Sequence, residues 1–96
     1  MSDLQIELQE TGSKGRYVHA VDGEEAVMTF VRIGDKQVII DHTEVPAHFR
    51  GQGVGEALVR RAVEDARNGG WKIRPLCPFA AAQFRRHSEW ADVLAH

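Results

Sequence analysis

Three glycines alternate with other residues in Arg50-Gly51-Gln52-Gly53-Val54-Gly55, and a run of this kind can hold an anion. Glycine lets the backbone approach a ligand closely and turn its N–H groups toward it. The segment falls where an extended stretch gives way to a helical one. It therefore also brings a helix N-terminus, with unsatisfied donors and the positive end of a dipole. A phosphate is the expected guest. Two common phosphate loops do not fit. A Walker loop closes on Gly-Lys-Ser/Thr, and the chain has no Gly-Lys pair. The dinucleotide fingerprint G-x-G-x-x-G needs a glycine where Glu56 stands.

Three further side chains could move protons or attack a carbonyl. His42 lies shortly before the glycine segment, and an imidazole exchanges protons around neutral pH. Glu44, two residues on, shares its face of an extended strand unless a bulge intervenes. Cys77 stands between Pro75 and Pro78, which shape the backbone on either side of it. A thiol there can act as nucleophile or proton donor, although a free cysteine also serves as a small buried hydrophobe. Likewise His42 can be an ordinary sheet histidine. His19, His48, His87 and His96 have no spacing that gathers metal ligands, and one cysteine makes no zinc site. No metal is expected.

These residues need a scaffold, and the periodicity supplies one. Leu4, Ile6 and Leu8 alternate with polar neighbours, the period of a half-buried strand. After the turn Thr11-Gly12-Ser13-Lys14-Gly15, strands are predicted at 16–21, 26–33 and 37–45, separated by Asp22-Gly23 and Gly34-Asp35-Lys36. Short turns make these four an antiparallel meander. Beyond Pro46, Val54, Leu58, Ala62 and Ala66 recur at helical spacing until Asn68-Gly69-Gly70. A fifth strand at 71–76 follows, parallel to the fourth because a helix joins them. Pro78 suits the first turn of a second helix reaching about His87, and Ser88 can cap a last short turn with Trp90. The fold class is α+β: a mixed sheet packed by two or three helices.

Length and composition bound the rest. Ninety-six residues, 43% hydrophobic and 27% charged, make one globular domain over 1–96. A net charge of −2, with basic pairs only at Arg60-Arg61 and Arg85-Arg86, argues against nucleic acid as a partner. No apolar run spans a bilayer, and Met1-Ser2-Asp3-Leu4 lacks the features of a leader. A domain this small without disulfides fits a reducing compartment. A cytoplasmic protein, monomer or weak homodimer, is expected.

Within that frame, Val45-Pro46-Ala47-His48-Phe49-Arg50-Gly51-Gln52-Gly53-Val54-Gly55 resembles the acetyl-CoA motif of the GNAT superfamily of N-acetyltransferases. That pattern is Arg or Gln, two residues, Gly, one residue, then Gly or Ala. Arg50, Gly53 and Gly55 match it. The resemblance covers the order of elements, and Leu76-Cys77-Pro78-Phe79 is similar to a branch of short members with Cys-Pro after the fifth strand. It implies acetyl-CoA or coenzyme A held by Val45, Arg50, Gly51, Gln52, Gly53, Val54 and Gly55. It further implies transfer of the acetyl group to an amine of a small molecule or protein, with Cys77 and His42 catalytic. The chain also departs from the family pattern. Only the Thr11–Gly15 turn stands where helices usually follow the first strand, and too few residues follow Trp90 for the closing strand pair. Phe84 falls near the place of a tyrosine that many members use as an acid. A coenzyme A binding module without turnover is the alternative those departures suggest.

Overall fold

A computed structural model describes residues 4–95 of the chain. Met1, Ser2 and Asp3, part of the leader argument, and His96 lie outside the described residues. Five strands form one sheet in sequence order: β1 (Glu7–Thr11), β2 (Lys14–Val21), β3 (Glu24–Ile33), β4 (Gln37–Glu44) and β5 (Lys72–Pro75). The first four run antiparallel to their neighbours, and β5 lies parallel to β4. Helices α1 (Val54–Gly69) and α2 (Pro78–Arg86), with short 310 helices at Ala47–Phe49 and Ser88–Val93, complete an α+β architecture.

Local chemistry sets the turns. Asp22 and Gly23 link Val21 to Glu24 with φ of 53° and 83°, the two positive values a tight hairpin needs. β2 starts at Lys14 rather than Arg16, because Thr11 pairs with Lys14 and leaves only Gly12-Ser13 to turn. β1 starts at Glu7, while Leu4 and Ile6 pack half-buried against the core. The expected stripe of α1 is buried through Val54, Leu58, Ala62 and Ala66. Gly70 ends the helix at φ 82°, and its N–H donates to the Ala66 carbonyl at 2.8 Å.

Alternate residues of the sheet, among them Tyr17, Met28, Phe30, Val38 and Ile40, meet α1, α2 and Trp90 in one core. The other sheet face, through Arg16, Thr29, Val31 and Ile39, stays half-exposed. Among the described residues no helix is long and apolar enough to cross a membrane.

Tyr17 ties the sheet to α1 and gives a measurable signature. Its hydroxyl donates to Asp65 at 2.8 Å, and Arg61 donates to the same carboxylate. Burial first, and the bond to Asp65 second, raise this phenol well above its usual range. The fold thus prefers the neutral phenol, while an unfolded chain ionises it near pH ~10. Its contribution is full below that pH and falls as pH rises further. Stability above pH ~10 should drop by up to ~1.4 kcal/mol per unit on this account, a slope that Tyr17→Phe removes. The chain has one tyrosine, so phenolate absorbance reads the titration directly. An unshifted titration in the folded protein would refute the assignment.

Candidate functional site

The sheet opens where β4 outruns β5. Their parallel register ends at Ile40 opposite Pro75, leaving residues 41–44 of β4 without a partner on that side. Both Leu76 and Cys77 donate their N–H groups to the Ile40 carbonyl, at 3.0 and 3.1 Å. Beyond that point the chains part, and α2 begins with Pro78 at its first position.

A bulge at the same point reorients β4. Phe30 pairs with Ile40 but Thr29 pairs with His42, so Asp41 is an extra residue. Val38 and Ile40 face the core, and strict alternation would have sent His42 and Glu44 after them. The bulge turns Thr43 toward Met28 and the core instead, and sends His42 and Glu44 to the open face. There the two share a face, with Nε2 of His42 3.9 Å from Oε1 of Glu44 and both side chains largely exposed. Cys77 is buried, and its thiol donates to the Thr43 hydroxyl at 3.3 Å.

Next to this opening stands the glycine segment. Phe49, 2% exposed, anchors it to the core beneath the edge of His19. Gly51 and Gly53 have φ of 82° and 74°, and a Cβ on either would enter open space. Gly53 is the N-cap of α1, and no side chain caps this helix. The first intrahelical bond runs from the Ala57 N–H to the Gly53 carbonyl. The N–H groups of Gly53, Val54, Gly55 and Glu56 therefore have no acceptor within the helix. Gly55 serves another purpose. A Cβ there would lie 2.4 Å from the ring of Phe79, so this glycine lets α2 approach α1.

These elements enclose a cleft of about 630 Å³. Its walls include Thr43, Glu44 and Val45 from the end of β4, Arg50 through Gly55 save Gln52, and Phe79, Gln83 and Arg86 from α2. Two guanidinium groups, of Arg50 and Arg86, and two carboxylates, of Glu44 and Glu56, lie along it. Glu56 would oppose an anion, but its carboxylate is engaged by His87 at 2.7 Å and faces Arg60 at 3.5 Å. His87 in turn meets Glu89 and stacks on Trp90, which fixes the end of α2 against α1. A backbone hydrogen bond, and then His87, hold the Glu89 carboxyl below its usual range.

Of the expected site residues, Val45, Arg50, Gly51, Gly53, Val54 and Gly55 line this cleft. Gln52 turns away, its amide donating to the His48 carbonyl at 3.2 Å. Neither Cys77 nor His42 forms its wall, though Thr43 and Glu44, the neighbours they touch, both do. Sequence reasoning missed Thr43, Phe49, Gln83 and Arg86. Phe84 belongs to the core, edge-on to Trp90 at 5.7 Å. Among the described residues no three His, Cys, Asp or Glu side chains gather for a metal.

Known proteins give the arrangement a context. The sequence model described as GCN5-related N-acetyl-transferase matches residues 16–93. A GCN5-like protein of Staphylococcus aureus, solved in solution by NMR, superposes with a TM-score of 0.71. That match is 30% identical and covers 99% of this chain and 91% of the other. Protein NATD1 of Xenopus tropicalis is 39% identical over 41 residues, 43% of this chain. The matched stretch spans only 38% of that protein's length.

Proposed function

The chain belongs to the GCN5-related N-acetyltransferase family, and we propose that it moves an acetyl group from acetyl-CoA onto an amine. The observation that carries this reading is the uncapped start of α1. Its free N–H groups and two positive-φ glycines line one cleft with Arg50 and Arg86, a donor set that fits a pyrophosphate. The opening between β4 and Cys77 adjoins the cleft through Thr43. Acetyl-CoA supplies an activated thioester. The chain supplies position and proton transfer.

Gly51, Gly53, Val54 and Gly55 would hold the phosphates through backbone amides, with Arg50 and Arg86 balancing their charge. An incoming amine must lose a proton to react, and that proton needs an acceptor. Glu44 lines the cleft and takes it at a carboxylate oxygen, with Nε2 of His42 behind it as the next acceptor. Departure of the thiolate calls for a donor. The Cys77 thiol, hydrogen-bonded to the Thr43 hydroxyl of the cleft wall, would give one. Alternatively the same thiol would take the acetyl group itself, releasing coenzyme A, and pass it to the amine in a second step. Intact mass after incubation with acetyl-CoA separates the two roles. An adduct absent from Cys77→Ala marks a nucleophile, and turnover lost in Cys77→Ala without any adduct marks a donor.

Binding is the first test. Coenzyme A at a hundredfold excess over its dissociation constant should stabilise the fold by about 2.7 kcal/mol. For a domain of this size the midpoint then rises by on the order of 10 °C. Identical melts with and without coenzyme A would sink the reading. One observation favours a second reading, a coenzyme A binding module without turnover: Phe84 is locked in the core and carries no proton to give. Release of free thiol over a library of amines decides between them.

A further inference from the structure

The wall of the cleft contains a polar group that the protein leaves unanswered. Gln83 is 5% exposed, and its Oε1 has no hydrogen-bond partner among the described residues. It lies on α2 between Phe79 and Arg86, and all three line the cleft. At the spacing i, i+4, i+7 they form one stripe of the helix. Phe79 and Arg86 suit an apolar chain and a phosphate. A buried glutamine between them suits neither, and a leucine would fill the same space without an orphaned acceptor. Buried amide oxygens nearly always have a donor, and the side chain that carries this one lines the cleft.

The geometry points to Gln83 as the acceptor for a secondary amide N–H of that ligand. The assignment rests on the reading that the cleft holds coenzyme A. The pantetheine arm of that molecule carries two such amides between its phosphates and its sulfur. Gln83 shares the cleft wall with Gly53, where the phosphates would sit, and with Thr43, which holds the Cys77 thiol. Because all three line one cleft, an arm reaching from the first of these sites to the other shares it with Gln83. Gln83 is then a positioning residue: it fixes the depth of the arm and so the place of the thioester. An arm without an amide at that depth would leave Oε1 unpaired, so the residue also selects against simple alkyl thioesters.

The test compares coenzyme A with adenosine 3′,5′-bisphosphate, which has the nucleotide end and no arm. Calorimetry on the wild type and on Gln83→Met, which keeps the volume and removes the acceptor, reads both ligands. Coenzyme A should bind the variant about tenfold more weakly, and the bisphosphate should bind both proteins alike. The ligand-free variant should melt no lower than the wild type, because no buried acceptor goes unmet. Gln83→Leu, of different shape, should reproduce the same split. Unchanged affinity for coenzyme A would overturn the assignment. Equal weakening of both ligands would overturn it too, since a merely structural glutamine predicts that. A wild type that binds neither ligand removes the coenzyme reading and this assignment together.

Discussion

Gly53→Val is expected to weaken coenzyme A by about a hundredfold or more and to destabilise the ligand-free protein as well. The two effects have separate causes. Gly53 sits at φ 74° as the N-cap of α1, where a branched side chain is strained by about 1–2 kcal/mol. The affinity loss comes from space. A Cβ at Gly53 would meet no protein atom within 4 Å and would project where the proposed phosphates approach the cleft wall. Each hydrogen bond to a charged group contributes about 1.5–3 kcal/mol, and losing one or two of them gives a hundredfold. Gly53→Asn separates the causes, because asparagine adopts the left-handed conformation readily yet still projects a side chain. It should melt close to the wild type and still lose coenzyme A. If Gly53→Asn binds at wild-type affinity, the glycine is there for its φ alone, and the close approach of a phosphate is wrong.

Such a contrast was legible in the chain because its causes are local. Alternating glycines before a helical stripe announce both the positive φ values and the uncapped helix. Asp22-Gly23 announces its hairpin in the same way, through backbone conformations that few other residues accept. The ends of α1 were readable for the same reason, since Gly70 both stops the helix and caps it. The order and direction of the strands followed from turn lengths and from the one helical crossover.

What stayed hidden depends on residues far apart in sequence. The extra residue at Asp41 arises from the register between β3 and β4, and no local signal at Asp41, His42 or Thr43 encodes it. It decides that Thr43, not His42, meets Cys77. Gly55 reads as a third phosphate glycine, but the ring of Phe79, a helix away, also requires it. Gln83 and Arg86 read as polar residues on a helix of modest amphipathicity. Only the packing of α2 against the start of α1 makes them part of a cleft. Phe49, inside the motif, reads as one more motif residue until its burial shows it to be the anchor.

The bulge also governs the largest effect expected on turnover. It sets His42 and Glu44 side by side on the open face, and only Glu44 reaches the cleft wall. Glu44→Gln should therefore lower kcat by about a hundredfold or more, in the range lost with a positioned base. It should not weaken coenzyme A, because the proposed phosphate site at the start of α1 makes no use of the Glu44 carboxylate. His42→Ala should cost less, about tenfold, since it removes the second acceptor and leaves the first. The pH profile carries the finer distinction. Only a neutral imidazole accepts a proton, so passage through His42 makes the rate rise with pH. That limb should disappear in His42→Ala while the lower rate persists. If Glu44→Gln keeps full kcat and His42→Ala loses the limb, the imidazole takes the amine proton directly. If both variants keep the rate and the limb, neither group is the base, and the outward turn of the bulge has no part in the chemistry.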